Sequence, residues 1–249
     1  MTPQRLWLRV YVPRPRARTR IVMFPHGGGS ASFYRPLAKL LPASVEPCIV
    51  QYPGREDRLN DPCVHEMTEL ADAVTAALLP VFDREVVFFG HSMGASVAHE
   101  VARRLHARRL RSPALLVTSG RPGPRFQKPG DKHLDDDRLW AEVTRLGGTA
   151  PELAASDHLR RLVLPALRAD YRLIETYRPP QDGGLQCPVA SAAGHCDDEV
   201  TADELRGWQD VTSGPFCYRL FPGGHFYLRP EAETVARWLA GLVSAPVPG

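Results

Sequence analysis

The sequence lacks a long hydrophobic run and any pattern of closely paired cysteines. None of its apolar stretches approaches the roughly 20 residues that a membrane-spanning helix requires, so we expect no membrane partner. The first 20 residues contain no continuous apolar segment of the kind that secretory signals carry. The five cysteines form no C-x-x-C pair, which favours reduced thiols, no bound metal and a cytoplasmic protein.

The sequence also lacks a strong excess of charge of either sign. It has 31 basic and 28 acidic side chains, a net charge of +3. That balance argues against nucleic acid as a partner, although it permits an acidic protein partner. The length of 249 residues fits one α/β domain, and a hydrophobic fraction of 43% can supply a sizeable core. We therefore expect residues 1–249 to form a single domain, and a monomer.

Short apolar runs alternate with helical patterns along most of the chain. Strands are predicted at residues 6–12, 21–24, 45–52, 85–89, 114–118, 188–192 and 216–221. Helices are predicted at residues 33–41, 65–82, 95–105 and 231–242, and Thr201 and Glu204 have the spacing of a capping box. This order predicts an α/β fold, with a mostly parallel sheet and helices on both faces.

One segment, residues 121–184, breaks the alternation. It contains no convincing strand, while residues 134–146 and 157–177 have helical patterns. Some 60 residues is long for a simple crossover, so we interpret the segment as a helical lid insertion over an active site. The alternative is an ordinary crossover helix.

The pentapeptide Gly90-His-Ser-Met-Gly94 matches the G-x-S-x-G pattern of a nucleophile elbow. An apolar strand ends directly before it and a helix of small residues begins directly after it, which is the context the motif requires. The turn would raise the hydroxyl of Ser92 above the end of the strand, at the positive end of the following helix. We therefore predict that Ser92 is a catalytic nucleophile.

A serine nucleophile needs a base, and the base needs an orienting acid. In α/β-hydrolases these follow the serine in the order acid, then histidine. His225 follows the last predicted strand and is the predicted base, whereas His99, His106, His133 and His158 lie on predicted helices and are expected to be solvated. The acid should follow the strand at residues 188–192, where spacing alone leaves both Asp197 and Asp198 open.

Two backbone N–H groups are needed to stabilise the oxyanion of an acyl-transfer reaction. One is expected from Met93, the residue after the nucleophile. The other is expected from the loop His26-Gly-Gly-Gly29, where glycines allow a close approach of backbone to substrate. A flexible turn is the alternative interpretation. A phosphate-binding loop fits less well, because no Lys-Ser/Thr pair follows the glycines.

These motifs resemble those of a type II thioesterase, a stand-alone editing enzyme that accompanies polyketide synthases and nonribosomal peptide synthetases. The resemblance covers most of the chain and is carried by MFPHGGGSASFYRPLAKLLP, VQYPGREDR, FFGHSMGASVAHEVAR, SGRPGP, LRRLVLPALRADYRLIETY and TSGPFCYRLFPGGHFYL. The phrases PGREDR, LVLPALRADY and GGHFYL are more specific to this family than the serine motif.

The resemblance implies an α/β-hydrolase with Ser92 as nucleophile, His225 as base, and Gly27 and Met93 as oxyanion donors. The family's acid, the second aspartate of Gly-Asp-x-Asp-Pro, falls on Asp197. Here His195 replaces the first aspartate of that pattern and Asp198 replaces its proline. The implied substrate is an acyl group on the phosphopantetheine arm of an acyl or peptidyl carrier protein, with no cofactor bound by the enzyme itself.

Three other functions share these motifs. A small-molecule carboxylesterase or lipase would use the same triad on an oxygen ester. A chain-terminating thioesterase would use it to release or cyclise a long product, although no carrier-domain motif precedes this sequence. An inactive α/β-hydrolase could serve as a binding protein. The basic residues Arg103, Arg104, Arg108, Arg109 and Arg111 suit either a docking patch for an acidic carrier or a solvated helix end.

Overall fold

A computed structural model describes residues 6–148, 156–180 and 184–244. The strands are β1 (Leu8–Arg9), β2 (Thr19–Phe24), β3 (Val45–Val50), β4 (Glu85–His91), β5 (Leu115–Ser119), β6 (Val189–Gly194) and β7 (Phe216–Phe221). The α-helices are α1 (Arg35–Leu40), α2 (Met67–Leu78), α3 (Met93–Ala107), α4 (Asp136–Leu146), α5 (Asp157–Thr176), α6 (Ala202–Arg206) and α7 (Ala232–Ser244).

The strands form one sheet in the order β1-β3-β2-β4-β5-β6-β7. Strand β1 pairs antiparallel with β3, and every other neighbouring pair in this sheet is parallel. The prediction of a mostly parallel sheet is therefore confirmed. Since the carboxyl ends of parallel strands meet at one edge, the loops after β2, β4, β6 and β7 lie on the same side of the molecule.

Alternate side chains of the central strands enter two hydrophobic clusters, one on each face of the sheet. Val22 and Phe24 pack with α2 and α3, whereas Ile21 and Met23 pack with α1 and α7. This is the layering that the alternation of strands and helices predicts. Residues 21–24 of β2 and 86–89 of β4 are all apolar, because both faces of the sheet are covered there.

Two predicted elements differ in the structure. The edge strand predicted at residues 6–12 is reduced to Leu8–Arg9. The helix predicted at residues 33–41 is a 3-10 turn, Ala31–Tyr34, followed by α1, which has Pro36 at its second position. Proline is favoured in the first turn of a helix because its missing N–H has no partner there, and it starts α1 afresh after the turn.

Among the described residues from 121 to 180, the regular elements are all helical, as the sequence predicts. They are the 3-10 turns Pro124–Phe126 and Lys132–Leu134 and the helices α4 and α5. The interpretation of residues 121–184 as one insertion includes residues 149–155 and 181–183, which lie outside the described residues.

The turn from β4 into α3 packs against the end of β2 with no room for additional side-chain atoms. A Cβ atom on Gly94 would lie 2.0 Å from the carbonyl oxygen of Phe24, and one on Gly90 would lie 2.2 Å from the carbonyl oxygen of Gly94. Both distances fall well inside van der Waals contact with backbone atoms that cannot move independently. The glycines of G-x-S-x-G are therefore required by packing between α3 and the sheet.

We expect Gly94→Ala to lower the free energy of unfolding by about 2–3 kcal/mol, because the added methyl group must displace the end of β2. The measurement is chemical denaturation followed by circular dichroism. Gly241→Ala is the matched control: Gly241 also lies in a helix, but a Cβ atom there has no neighbour within 4 Å. The control should be neutral or stabilising by up to about 1 kcal/mol. Equal effects of the two substitutions would contradict the packing argument.

Candidate active site

Ser92 lies at the point where β4 ends and α3 begins. Its backbone has φ 53° and ψ −121°, a strained conformation that non-glycine residues seldom adopt. The turn is held from the neighbouring strand, since the Ser92 N–H donates to the carbonyl oxygen of Ser119 at 2.7 Å. The strained turn that the sequence predicts at this position is therefore present, and it presents the side chain to a cavity.

His225 and Asp197 are buried together at the carboxyl edge of the sheet. The Nδ1 atom of His225 lies 3.0 Å and 3.1 Å from the two carboxylate oxygens of Asp197. A carboxylate can only accept, so Nδ1–H is the donor and Nε2 is left free to act as a base. Ser92 and His225 line the same cavity, but in the described structure no hydrogen bond joins their side chains.

The loops that carry Asp197 and His225 are bonded to each other. The N–H of Cys196 donates to the carbonyl oxygen of Gly223 at 3.0 Å. Gly194 permits this approach, because a Cβ atom there would lie 2.3 Å from the carbonyl oxygens of both Gly223 and Gly224. The contact between acid and histidine therefore depends on a glycine at the end of β6.

The neighbouring aspartate, Asp198, points elsewhere. Its side chain is 83% exposed and lies 3.6 Å from a guanidinium nitrogen of Arg145. His195, which stands where the family has an aspartate, lies against the carbonyl oxygen of Phe221 at 3.3 Å. Of the two acids that spacing left open, only Asp197 contacts His225.

The glycine loop after β2 lies beside Ser92. Gly27 and Met93 line the same cavity as Ser92 and His225. Gly28 has φ +72°, the left-handed conformation that favours glycine, and a Cβ atom there would lie 2.2 Å from the side chain of Leu167 in α5. The loop is therefore enclosed between the start of α3 and helix α5.

The cavity over Ser92 has a volume of about 440 Å³. Most of its wall comes from the segment between β5 and β6. That segment contributes apolar side chains from its loop and both of its helices, among them Phe126, Leu146 and Ile174. Phe226, next to the histidine, adds a further aromatic side. The segment thus covers the site, and the cavity can hold a small substrate group away from bulk water.

Two further histidines lie near His225. His91 is fully buried, and its Nδ1 lies 2.9 Å from the hydroxyl oxygen of Ser119. Burial lowers the pKa of His91 well below its ordinary value and that of His26 to about 3. Both imidazoles are therefore neutral at physiological pH and add no positive charge beside His225.

The charged side chains of the cavity wall are paired, with one exception among those the structure describes. Glu142 binds Lys132 at 2.5 Å, and Glu175 binds His133 at 2.6 Å. Arg121 has no carboxylate partner within ion-pair distance, and its buried Nε has no hydrogen-bond partner. Burial lowers its pKa to about 10, so the guanidinium remains charged at neutral pH.

Sequence reasoning was wrong about two helical histidines. His99 is buried and packs edge to face against Trp208, with ring centroids 5.4 Å apart. His133 is paired with Glu175 rather than free in solvent. The cause is tertiary: α3 is covered on nearly all sides, and the turn that carries His133 packs on α5.

Sequence reasoning also missed a buried ion pair. Arg55, in the loop after β3, binds Asp170 of α5 at 2.6 Å, and the Gly28 N–H donates to the same carboxylate at 2.7 Å. A signal was present, because Asp170 lies on the buried stripe of α5 with Ala166 and Leu173. A charged residue at such a position needs a buried partner.

The residues that the structure describes contain no cluster of three or more histidine, cysteine, aspartate or glutamate side chains arranged to bind a metal ion. Within the same ranges, no helix is both long and apolar enough to cross a bilayer.

Comparison with known proteins identifies the family. A model of the family described as "Thioesterase domain" matches residues 19–241. The chain is 45% identical over 230 residues to a probable cadicidin biosynthesis thioesterase of Streptomyces griseus, covering 92% of this chain and 63% of that protein. It is also 45% identical over 232 residues to thioesterase PikA5 of Streptomyces venezuelae, covering 92% and 83%.

The solved structures agree with the sequence relatives. The type II thioesterase BorB of the borrelidin cluster superposes with a TM-score of 0.87 at 40% identity, covering 95% of this chain and 97% of that one. The type II thioesterase YbtT of the yersiniabactin pathway superposes with a TM-score of 0.84 at 28% identity, covering 94% and 97%. With a family match over nearly its whole length and the fold of these enzymes, the chain belongs to the thioesterase domain family of α/β-hydrolases.

Proposed function

We propose that this protein is a type II thioesterase that hydrolyses aberrant or stalled acyl groups from the phosphopantetheine arm of a carrier protein. The observation that carries the proposal is the contact of Asp197 with His225, which lines one cavity with Ser92, in a chain of the thioesterase family. Relatives named for polyketide and nonribosomal peptide pathways support the choice of substrate.

In the proposed mechanism the Oγ of Ser92 attacks the thioester carbonyl carbon while Nε2 of His225 takes the hydroxyl proton. Asp197 holds the imidazole by its Nδ1–H and stabilises the imidazolium that forms. The carbon–sulfur bond then breaks, His225 returns the proton to the pantetheine sulfur, and an acyl-serine remains. Water attacks this ester with His225 again as base, which releases a carboxylic acid and restores Ser92.

The N–H groups of Gly27 and Met93 are the proposed oxyanion donors. Met93 supplies the first N–H of α3, where the helix dipole also favours negative charge. Gly27 supplies a backbone group from the loop after β2, and the two line one cavity with Ser92. A thiolate leaves readily, so nucleophile activation and oxyanion stabilisation are the main demands on this site.

The segment over the cavity is the proposed lid. A pantetheine arm is a long chain with two amide groups, and the cavity wall offers both apolar and polar contacts to such a chain. Phe126 and Ile174 are apolar, whereas Arg121 and Lys128 carry charge, and the unpaired guanidinium of Arg121 can donate to a carbonyl oxygen of the substrate.

We propose a carrier protein as partner, no enzyme-bound cofactor, a monomeric state and a cytoplasmic location. The basic residues at the end of α3 contribute little to docking in this proposal. Arg104 and Arg108 are already paired with Asp72, and Arg111 donates to the carbonyl oxygen of Phe82. These contacts favour the interpretation of that run as a solvated helix end over that of a docking patch.

The assignment of the acid can be tested by two substitutions at adjacent positions. Asp197→Asn should lower kcat on the order of 10⁴-fold, because an amide can hold the imidazole in the wrong tautomer. Asp198→Asn should leave kcat within about 3-fold of the wild type, since that exposed side chain does not contact His225. Steady-state kinetics on an acyl-pantetheine thioester measures both. The reverse ranking would move the acid to Asp198.

The substrate class can be tested with acetyl-, propionyl- and butyryl-carrier proteins, a long hydroxyacyl thioester and a matched oxygen ester. We expect hydrolysis of all three short thioesters, with kcat/KM values that differ by at most about 200-fold between neighbours in the series, because one methylene in a hydrophobic pocket is worth about 1–3 kcal/mol. Release is measured by mass spectrometry, and Ser92→Ala, which should be folded and inactive, is the control.

Other outcomes of the same experiment would replace the proposal. Rapid cleavage of the oxygen ester with negligible thioester cleavage would indicate a carboxylesterase. Efficient macrolactone formation from the long substrate would indicate a chain-terminating enzyme. Failure of a fluorophosphonate to label Ser92 would indicate an inactive binding protein.

Lid motion can be tested by hydrogen exchange. Within α4, all of which is described, Leu139 alone is buried. By contrast, α3 is buried along nearly its whole length. Few buried contacts imply a low free energy of local opening. We expect backbone amides of α4 to exchange at least tenfold faster than those of α3, as measured by mass spectrometry. Equal protection of the two helices would show that the cover is as stable as the core.

A further inference from the structure

The buried pair of Arg55 and Asp170 joins two family-typical motifs that no step of the proposed mechanism uses. Arg55 lies in PGREDR and Asp170 in LVLPALRADY. The contact is bidentate: Nη1 of Arg55 lies 2.6 Å from Oδ2 of Asp170, and Nη2 lies 3.0 Å from Oδ1. Both residues are buried, at 7% and 3% exposure.

The pair is bonded to the glycine loop on both sides. The N–H of Gly28 donates to Oδ2 of Asp170 at 2.7 Å, and Nη1 of Arg55 donates to the carbonyl oxygen of Gly29 at 3.2 Å. One charged pair therefore holds an N–H and a C=O of consecutive residues in the segment that follows Gly27. In this way α5 and the loop after β3 together fix a loop that has no regular secondary structure of its own.

Other contacts restrict the same loop. Ala31 N–H donates to the side-chain oxygen of Gln51 at 2.8 Å, and the Gln51 side-chain amide donates to the carbonyl oxygen of Arg55 at 3.1 Å. Helix α5 also packs directly on the loop. A Cβ atom on Gly27 would lie 3.6 Å from the ring of Tyr171, and one on Gly28 would overlap Leu167.

The charge state of the pair suits this role. Burial opposes the charged form of Arg55, but the Asp170 carboxylate outweighs burial and raises the pKa of Arg55 above its ordinary value. A buried ion pair usually adds little net stability compared with apolar residues of the same volume. Its directed hydrogen bonds are what an apolar pair could not supply.

We propose that Arg55 and Asp170 are positioning residues that hold the Gly27–Gly29 loop so that the Gly27 N–H points at the oxyanion. The proposal rests on the proposed function, because it takes Gly27 as an oxyanion donor. The pair acts through the loop and does not itself touch the reacting atoms. Its loss should therefore slow the chemical step and leave substrate binding nearly intact.

The first test substitutes Asp170→Asn, which preserves the shape but removes the negative charge. We expect kcat to fall by about 10- to 100-fold, because a displacement of about 1 Å in a catalytic group can cost 100-fold. KM should change by less than about 3-fold, as for an interaction made only in the transition state. Arg55→Lys keeps the positive charge but loses the bidentate geometry of the guanidinium. Its kcat should lie between those of the wild type and Asp170→Asn.

The matched control is Glu46→Gln. Glu46, which is buried, forms a second ion pair near the start of β2 and away from the cavity, where Nη2 and Nε of Arg20 lie 2.7 Å and 2.9 Å from its Oε2. It should destabilise the protein in the same way but leave kcat within about 2-fold of the wild type. Thermal unfolding measured in parallel allows the variants to be compared at similar stability.

Asp170→Asn leaves the Arg55 guanidinium without its carboxylate partner. If that variant does not fold, a double variant tests the same positioning role. Arg55→Met with Asp170→Leu replaces the pair by apolar side chains, which a protein interior often tolerates. This variant should fold and still lose at least 10-fold in kcat, because Gly28 and Gly29 lose both partners.

The rate at which a fluorophosphonate labels Ser92 provides a second readout. Labelling also places a developing negative charge on an oxygen beside the Gly27 and Met93 N–H groups, but it needs no carrier protein. It therefore tests the positioning role independently of the choice of substrate. A wild type that labels rapidly but hydrolyses no thioester would overturn only the proposed function. Labelling and kcat unchanged in folded Asp170→Asn, or reduced as much in Glu46→Gln, would overturn the positioning role.

Discussion

The geometry of the site depends on how closely α3 approaches the end of β2. Strands β2 and β4 are in parallel register, with Phe24 opposite Gly90, and Gly94 lies against the Phe24 carbonyl group with no room for a side chain. That contact raises Ser92 above the sheet edge. It also brings the first N–H of α3 beside the loop that follows Phe24, so the positions of Ser92 and of both proposed oxyanion donors result from one packing constraint.

A close backbone contact that requires glycine also occurs on the other half of the sheet. Gly194 ends β6 where the loop that carries His225 passes, and a Cβ atom there would overlap two carbonyl oxygens. Strands β6 and β7 are paired in parallel, so the loops after them leave the sheet side by side. Asp197 and His225 therefore meet because two loops approach at backbone distance, just as Ser92 and the glycine loop do.

The fold, and the positions of Ser92 and His225 in the proposed triad, could be predicted because each is encoded by local pattern. Apolar runs of strand length, small residues after Ser92 and the order of serine, acid and histidine all lie in continuous stretches of sequence. The choice between Asp197 and Asp198 was not local, since it depends on which carboxylate the β6 loop turns toward His225. The burial of His99 was unpredictable for a related reason: helical spacing identifies an apolar face but does not show that the opposite face of α3 is also covered.

The pairing of the buried charges could not be predicted from the sequence. Arg55 and Asp170 are 115 positions apart, and neither has a sequence neighbour that indicates its partner. Only the position of Asp170 on the apolar stripe of α5 indicated that the carboxylate is buried. Such a residue can be recognised as needing a partner, but the identity of that partner depends on the three-dimensional packing of distant loops.

The two described helices that cover the cavity, α4 and α5, differ in how firmly they are held to the rest of the protein. From Leu167 onward α5 is buried against the glycine loop and bonded to it through Asp170, whereas α4 is connected to α5 by exposed ion pairs such as Asp136 with Arg168. Pro165 lies just before this buried part of α5 and removes one hydrogen bond from the helix. Substrate entry through movement of α4 would leave the oxyanion loop in place, while movement of the whole of α5 would break its supports. A cover that opens at α4 while the second half of α5 remains fixed would keep those supports.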